Sequence, residues 1–190
     1  KAAIITNNIH CERHVQYFST IEKYLRINGW IIANHFNVDK IILCSCGFHD
    51  AMYEKVKQTL QVIEKTDFLE KNIIILGCLT KTHQADLERD FKGPIISFHN
   101  EDRLDKIIQA KVPFGDISPV NLFNVHDKCG CTNKKNENFH IKISEGCLKQ
   151  CTFCVINKAK GELKSFPWET IEPQVRKAIK NGKKRIYLMG

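Results

Sequence analysis

Short, isoleucine-rich apolar runs alternate with longer stretches whose apolar residues recur at helical spacing, and this rhythm narrows the possible folds more than any other feature of the sequence. Ala2–Thr6, Trp30–Ala33, Lys40–Leu43, Asn72–Leu76 and Pro94–Phe98 read as strands. Arg13–Ile27 carries Val15, Phe18, Ile21, Tyr24 and Leu25 on one helical face, and Asp50–Lys65, Gln84–Phe91 and Glu101–Ala110 read as further helices. Strand–helix alternation of this kind predicts an α/β unit, a parallel sheet covered by helices on both faces in three layers.

The rhythm lapses between Lys111 and Asn138, where Pro113, Gly115, Pro119, Gly130 and the polar run Thr132–Asn138 predict a linker. It resumes with a strand at Phe139–Ser144, a helix at Thr170–Lys180 with Pro173 in its first turn, a stop at Gly182 and a strand at Arg185–Met189. The expected organisation is an N-terminal α/β domain over residues 1–112, a linker over 113–138, and the beginning of a second α/β domain over 139–190. One strand–helix–strand unit cannot cover its own sheet. The chain therefore reads as a fragment, or as one whose second domain is completed by something further.

The 190 residues are 43% hydrophobic, enough for a real core, yet no run approaches the roughly 18–20 apolar residues that span a bilayer. The opening Lys-Ala-Ala-Ile-Ile-Thr does not resemble a signal peptide, so a cytoplasmic location and no membrane partner are expected. Nine cysteines, an odd number without a secretion signal, point to metal binding rather than a disulfide framework. The net charge of +8 favours RNA contact only mildly, because the basic residues are spread along the chain.

The densest chemistry lies in Gly146-Cys147-Leu-Lys-Gln-Cys151-Thr-Phe153-Cys154, a C-x3-C-x2-C spacing with three thiols on one loop. Three thiolates can hold three irons of a four-iron cubane and leave the fourth iron open to a ligand. A zinc knot is the alternative, but zinc pairs are usually C-x2-C with a second pair further on. That alternative would make the chain a zinc-stabilised nucleic-acid-binding module without catalysis.

A second set is dispersed. Cys11 follows the first strand, Cys44 and Cys46 end the third, and Cys78 ends the fourth. In an open parallel sheet the carboxyl ends of the strands share one edge, where ligands bind, so these thiols are expected to converge and to hold a second cluster. The other reading is a set of buried structural thiols. Cys44 is the ambiguous member: two residues before Cys46, it would share its face on a regular strand. Cys129 and Cys131, in the linker, receive no role.

Taken together, these residues resemble the radical S-adenosylmethionine (SAM) methylthiotransferase family. Cys11, Cys46 and Cys78 match its three dispersed cysteines, the last in Leu-Gly-Cys. Ile143-Ser-Glu145-Gly146-Cys147 through Phe153-Cys154-Val155 matches its radical SAM signature, and Lys160-Gly161 falls where the family has Arg-Gly. The sequence departs from the family at His10 and His14, in place of Gly and Asn around the first cysteine. It departs again at Asn157 in place of Pro and at Phe166 in place of Arg.

The resemblance implies an N-terminal α/β domain followed by the start of a radical SAM (β/α) partial barrel. It implies SAM and two [4Fe-4S] clusters, one on Cys147, Cys151 and Cys154 and an auxiliary one on Cys11, Cys46 and Cys78. Phe153 and Gly190 would contact SAM, and no catalytic side chain beyond the cluster ligands is implied. The implied reaction replaces a C–H bond by C–S–CH3, with electrons from a flavodoxin or ferredoxin. The expected substrate is a modified adenosine in tRNA, and the alternative is the same chemistry on a ribosomal protein or peptide.

Overall fold

The computed structural model describes residues 1–7, 11–35, 37–66, 68–120, 138–149 and 151–190. Most of the expected linker, with Cys129 and Cys131, lies outside the described residues. The first sheet has five parallel strands in the order β2-β1-β3-β4-β5. These are β1 (Ala2–Thr6), β2 (Ile32–Ala33), β3 (Lys40–Ser45), β4 (Ile73–Gly77) and β5 (Ile95–Ile96). The fold is therefore the α/β class that the alternation predicts.

Both faces of this sheet are buried, which is why its strands are apolar throughout instead of alternating. On one face Ala2, Ile42, Cys44, Ile74, Leu76 and Ile96 pack against α1 (Glu12–Ile27) and α5 (Asp102–Ile108) through Ile21, Tyr24, Leu25, Leu104 and Ile108. On the other, Ala3, Ile41, Leu43, Ile73 and Ile75 meet Tyr53, Val56, Leu60 and Ile63 of α2 (Asp50–Glu64). Complete burial of isoleucines such as Ile41, Ile42, Ile74 and Ile75 contributes about 1.5–3 kcal/mol each.

The expected helix Gln84–Phe91 has a neighbour that periodicity misses: α3 (Leu79–Thr82) precedes α4 (Gln84–Asp90), separated by His83. Four residues are too few to show a helical period. In the second unit, β6 (Asn138–Lys142) pairs in parallel with β9 (Arg185–Met189). Between them come β7 (Ser144–Glu145), α6 (Val155–Lys160), β8 (Lys164–Ser165) and α7 (Trp168–Lys180). The short antiparallel pair β7–β8 closes the cysteine loop at its base. Helix α7 begins at Trp168, two residues earlier than expected, so Pro173 lies inside the helix and not in its first turn. Phe139 and Ile141 of β6 pack against Ile171 and Ala178 of α7.

Candidate functional site

The register of the first sheet aligns the strand ends. Thr6 stands beside Cys44, Cys44 beside Leu76, and Ser45 beside Gly77. The residues just beyond these positions share one edge, at the point where the chain leaves β1 for β2 on one side and returns to β3 on the other. Cys11, Cys46 and Cys78 lie there and line one cavity of about 690 Å3.

The backbone at Gly77 makes the approach possible. Its φ is +107°, and a Cβ there would collide with the carbonyl oxygen of Ser45 on the neighbouring strand. The turn carrying Cys78 is thereby held against β3. The amide of Cys46 donates to the Asn7 side-chain oxygen at 2.7 Å, tying the β3 end to the β1 end. Burial raises the Cys78 thiol above its ordinary pKa; Lys160 offsets part of that rise, and the neighbouring Cys46 and Cys11 add to it.

Cys44 is sorted out of this group by position. It is fully buried in the core on the α1 face, and burial alone pushes its thiol up to about 12. Cys46 lies past the end of β3, where strand alternation no longer dictates direction, and reaches the cavity. Among the described residues the cysteines are thiols, not disulfides.

The second unit supplies the opposite wall. Val155, Ile156, Ala159 and Lys160 of α6 and Leu188, Met189 and Gly190 at the end of β9 line the same cavity. The seam is fastened by Lys158 Nζ, which donates to the Thr82 carbonyl at 3.0 Å, and by His140 Nε2, 3.4 Å from Glu12 Oε1. His14 also lines the cavity. Its Nε2 shares a hydrogen bond of 2.6 Å with Thr6 Oγ1, and its Nδ1 has no partner among the described residues. Burial, aided by Lys160, lowers its pKa to about 4, so the ring is neutral at pH 7.

Cys147, Cys151 and Cys154 sit on the loop between β7 and α6, more exposed than the first set. Gly146, at φ +86°, lets the loop turn tightly, since a Cβ there would strike the Glu162 carbonyl. The Cys147 amide donates to the Gly161 carbonyl at 3.1 Å, and Asn157 Nδ2 donates to the Cys147 carbonyl at 3.1 Å. The Cys154 amide closes a turn onto the Cys151 carbonyl at 3.0 Å. Cys151, Phe153 and Cys154 line a groove of about 420 Å3, whereas Gly190 faces the larger cavity, so the two residues expected to contact SAM border different spaces.

Among the described residues, no three His, Cys, Asp or Glu side chains are gathered so as to hold a single metal ion. The dispersed thiols line a chamber instead of converging on one point. Three soft donors on separate loops, around a space with walls such as Phe48, Ile156 and Leu188, suit a bulky iron–sulfur group better than a closed tetrahedral zinc site. The loop thiols are likewise three rather than four, leaving one position open.

No family model matches the chain. It is similar over 186 residues, at 27% identity, to the ribosomal protein uS12 methylthiotransferases RimO of Shewanella sp. W3-18-1 and Shewanella baltica OS155. The protein of the same name from Shewanella putrefaciens CN-32 is also 27% identical. In each case the similarity covers 96% of this chain, including both cysteine sets. This similarity fits a divergent member of the radical SAM methylthiotransferase family. It spans about 38% of the length of these relatives.

The relatives are named for a ribosomal protein, not for the tRNA that the sequence favoured. Two departures from the family that the chain resembles now have a structural account. Asn157 replaces a rigid residue with a side chain that hydrogen-bonds the Cys147 carbonyl. Phe166 packs on the second core, with the Lys142 ammonium 5.5 Å above its ring. Sequence reasoning gave no role to Glu145 or Lys160, whose ion pair of 3.2 Å lies at the seam. Lys160 was legible only as the family's Arg-Gly position, because its contacts are remote in sequence. No helix among the described residues is long and apolar enough to cross a membrane.

Proposed function

We propose that this chain carries the cysteine sites of a radical SAM methylthiotransferase whose substrate is a protein of the ribosomal protein uS12 type. The observation that carries the reading is the common cavity: thiols from three strand ends of one sheet face the α6–β9 wall of the unit bearing the C-x3-C-x2-C loop. The division into residues 1–112, a linker over 113–138 and 139–190 belongs to the same proposal. The resembled family's common substrate, with mild support from the positive charge, was the argument for tRNA, and the names of the relatives favour the protein alternative.

In this reading Cys147, Cys151 and Cys154 hold one [4Fe-4S] cluster, and Cys11, Cys46 and Cys78 hold the other. When bound, the clusters and SAM supply the electron, radical and sulfur chemistry, with electrons from a carrier of the flavodoxin or ferredoxin type. The chain's own residues arrange the meeting. Asn157 and Gly161 fix the first loop through the carbonyl and amide of Cys147. Gly77 and Asn7 hold the second set at the sheet edge. Phe48, Ile156, Ala159 and Leu188 give the shared cavity apolar walls.

The test is an anaerobic reaction of the full chain with SAM and reductant, offered either ribosomal protein uS12 or total tRNA, with both analysed by mass spectrometry. A methylthio group on the protein supports the proposal. A methylthio nucleoside in tRNA with unmodified protein overturns it.

A further inference from the structure

Lys160 is a lysine with only 8% of its surface exposed, at the boundary between the two units. Its ammonium lies 3.2 Å from Glu145 Oε1 and 3.4 Å above the centre of the Phe98 ring, one contact within its own unit and one across the seam. Glu145 also pairs with Lys142 at 2.7 Å. One carboxylate thus serves two ammonium groups, with Lys160 and Glu145 buried and Lys142 partly exposed.

Lys160 also borders two spaces. It lines the cavity of Cys11, Cys46 and Cys78, and a second groove of about 370 Å3 with Tyr17, Phe98 and Glu145. Arg13 lines both as well, but it is less buried. The charge of Lys160 acts on Cys78 from within the protein, where screening by water and salt is weak.

We propose that Lys160 is a positioning residue that fastens the two units through Phe98 and Glu145 and sets the electrostatic potential of the Cys11/Cys46/Cys78 site, making a cluster held there easier to reduce. The proposal rests on the two-cluster reading of that site. The physical cause is simple. A cluster that accepts one electron from an external reductant gains one negative charge, and a fixed cation nearby stabilises the reduced form more than the oxidised one. The packing role alone would be served by any long side chain, whereas the electrostatic role requires the charge.

The experiment uses the full chain with Cys147, Cys151 and Cys154 all changed to Ala, so that iron reports on the remaining site alone. Iron content is measured first, and then the midpoint potential by dithionite titration followed by electron paramagnetic resonance. Lys160→Met is expected to disfavour reduction at least tenfold, lowering the one-electron midpoint potential by 59 mV or more. Lys160→Arg should restore it, and Glu145→Gln, which removes a negative charge, should move the potential the opposite way. The opposed signs distinguish charge from damage to the fold, which would not reverse between the two variants. Iron bound with the same potential in Lys160→Met and the parent overturns this inference alone. A parent that binds no iron overturns the two-cluster reading and this inference with it.

Discussion

Cys44 and Cys46 are two residues apart, yet the structure assigns them to different environments, and the difference is measurable. Cys44 is completely buried among Ile42, Leu76 and Tyr24, with its thiol pushed up to about 12 by burial. At pH 7 such a thiol is ionised to about one part in 10^5, so the thiolate that iron requires is scarce. Cys44→Ala should remove only packing: about 0.8 kcal/mol for the transfer of one methylene-sized group, and about 1–2 kcal/mol once the small cavity is included. Cys44→Ser should cost about 1–3 kcal/mol, because a hydroxyl enters an apolar site. Iron in the reconstituted full chain should remain at about eight per molecule in both variants. Cys46→Ala should instead take iron toward about four per molecule. The assay pairs urea unfolding with iron analysis after anaerobic reconstitution. Loss of four irons in Cys44→Ala together with retention in Cys46→Ala would refute the assignment.

Three further outcomes follow from the same geometry. Gly77→Ala should destabilise the chain by about 1–3 kcal/mol in urea unfolding, because alanine is strained at a φ of +107° and its Cβ meets the Ser45 carbonyl. His14 has a folded-state pKa of about 4 against 6.5 in the unfolded chain, because burial and then Lys160 disfavour its charged form. The unfolded chain therefore binds more protons between these values. The contribution is fully present above pH 6.5 and is lost as pH falls toward 4, about 3 kcal/mol in all, and urea unfolding of His14→Asn should lack this part of the pH dependence. Asn157→Ala should free the Cys147 carbonyl at a cost of about 0.5–1.5 kcal/mol and should speed iron loss from a Cys11/Cys46/Cys78→Ala background, measured by chelator challenge.

Much of the first unit was legible because its signals are local and repeated. Isoleucine-rich runs such as Ile73–Gly77 are long enough to declare themselves, and parallel pairing then sends every strand end to one edge. The separation of Cys44 from Cys46 was legible only through the resemblance, because strand alternation alone would give them one face and the difference depends on where β3 stops, at Ser45. The short helices α3 and α6 escaped for lack of a full period, although between them Thr82 and Lys158 join the units. Pro173 misled the reading of α7: a first-turn position is the usual place for proline, but Trp168 and Glu169 extend the helix ahead of it. The Lys160–Phe98 contact joins residues more than sixty positions apart and left no trace in the pattern.

The central claim is that the two cysteine sets do different work around one cavity. It is tested most directly by changing Cys11, Cys46 and Cys78 together to Ala in the full chain, then measuring 5′-deoxyadenosine release and methylthio product in the same anaerobic reaction. The account predicts that 5′-deoxyadenosine still forms from SAM while methylthio product disappears. Changing Cys147, Cys151 and Cys154 should abolish both. Full methylthio transfer by the Cys11, Cys46, Cys78 variant would contradict the account.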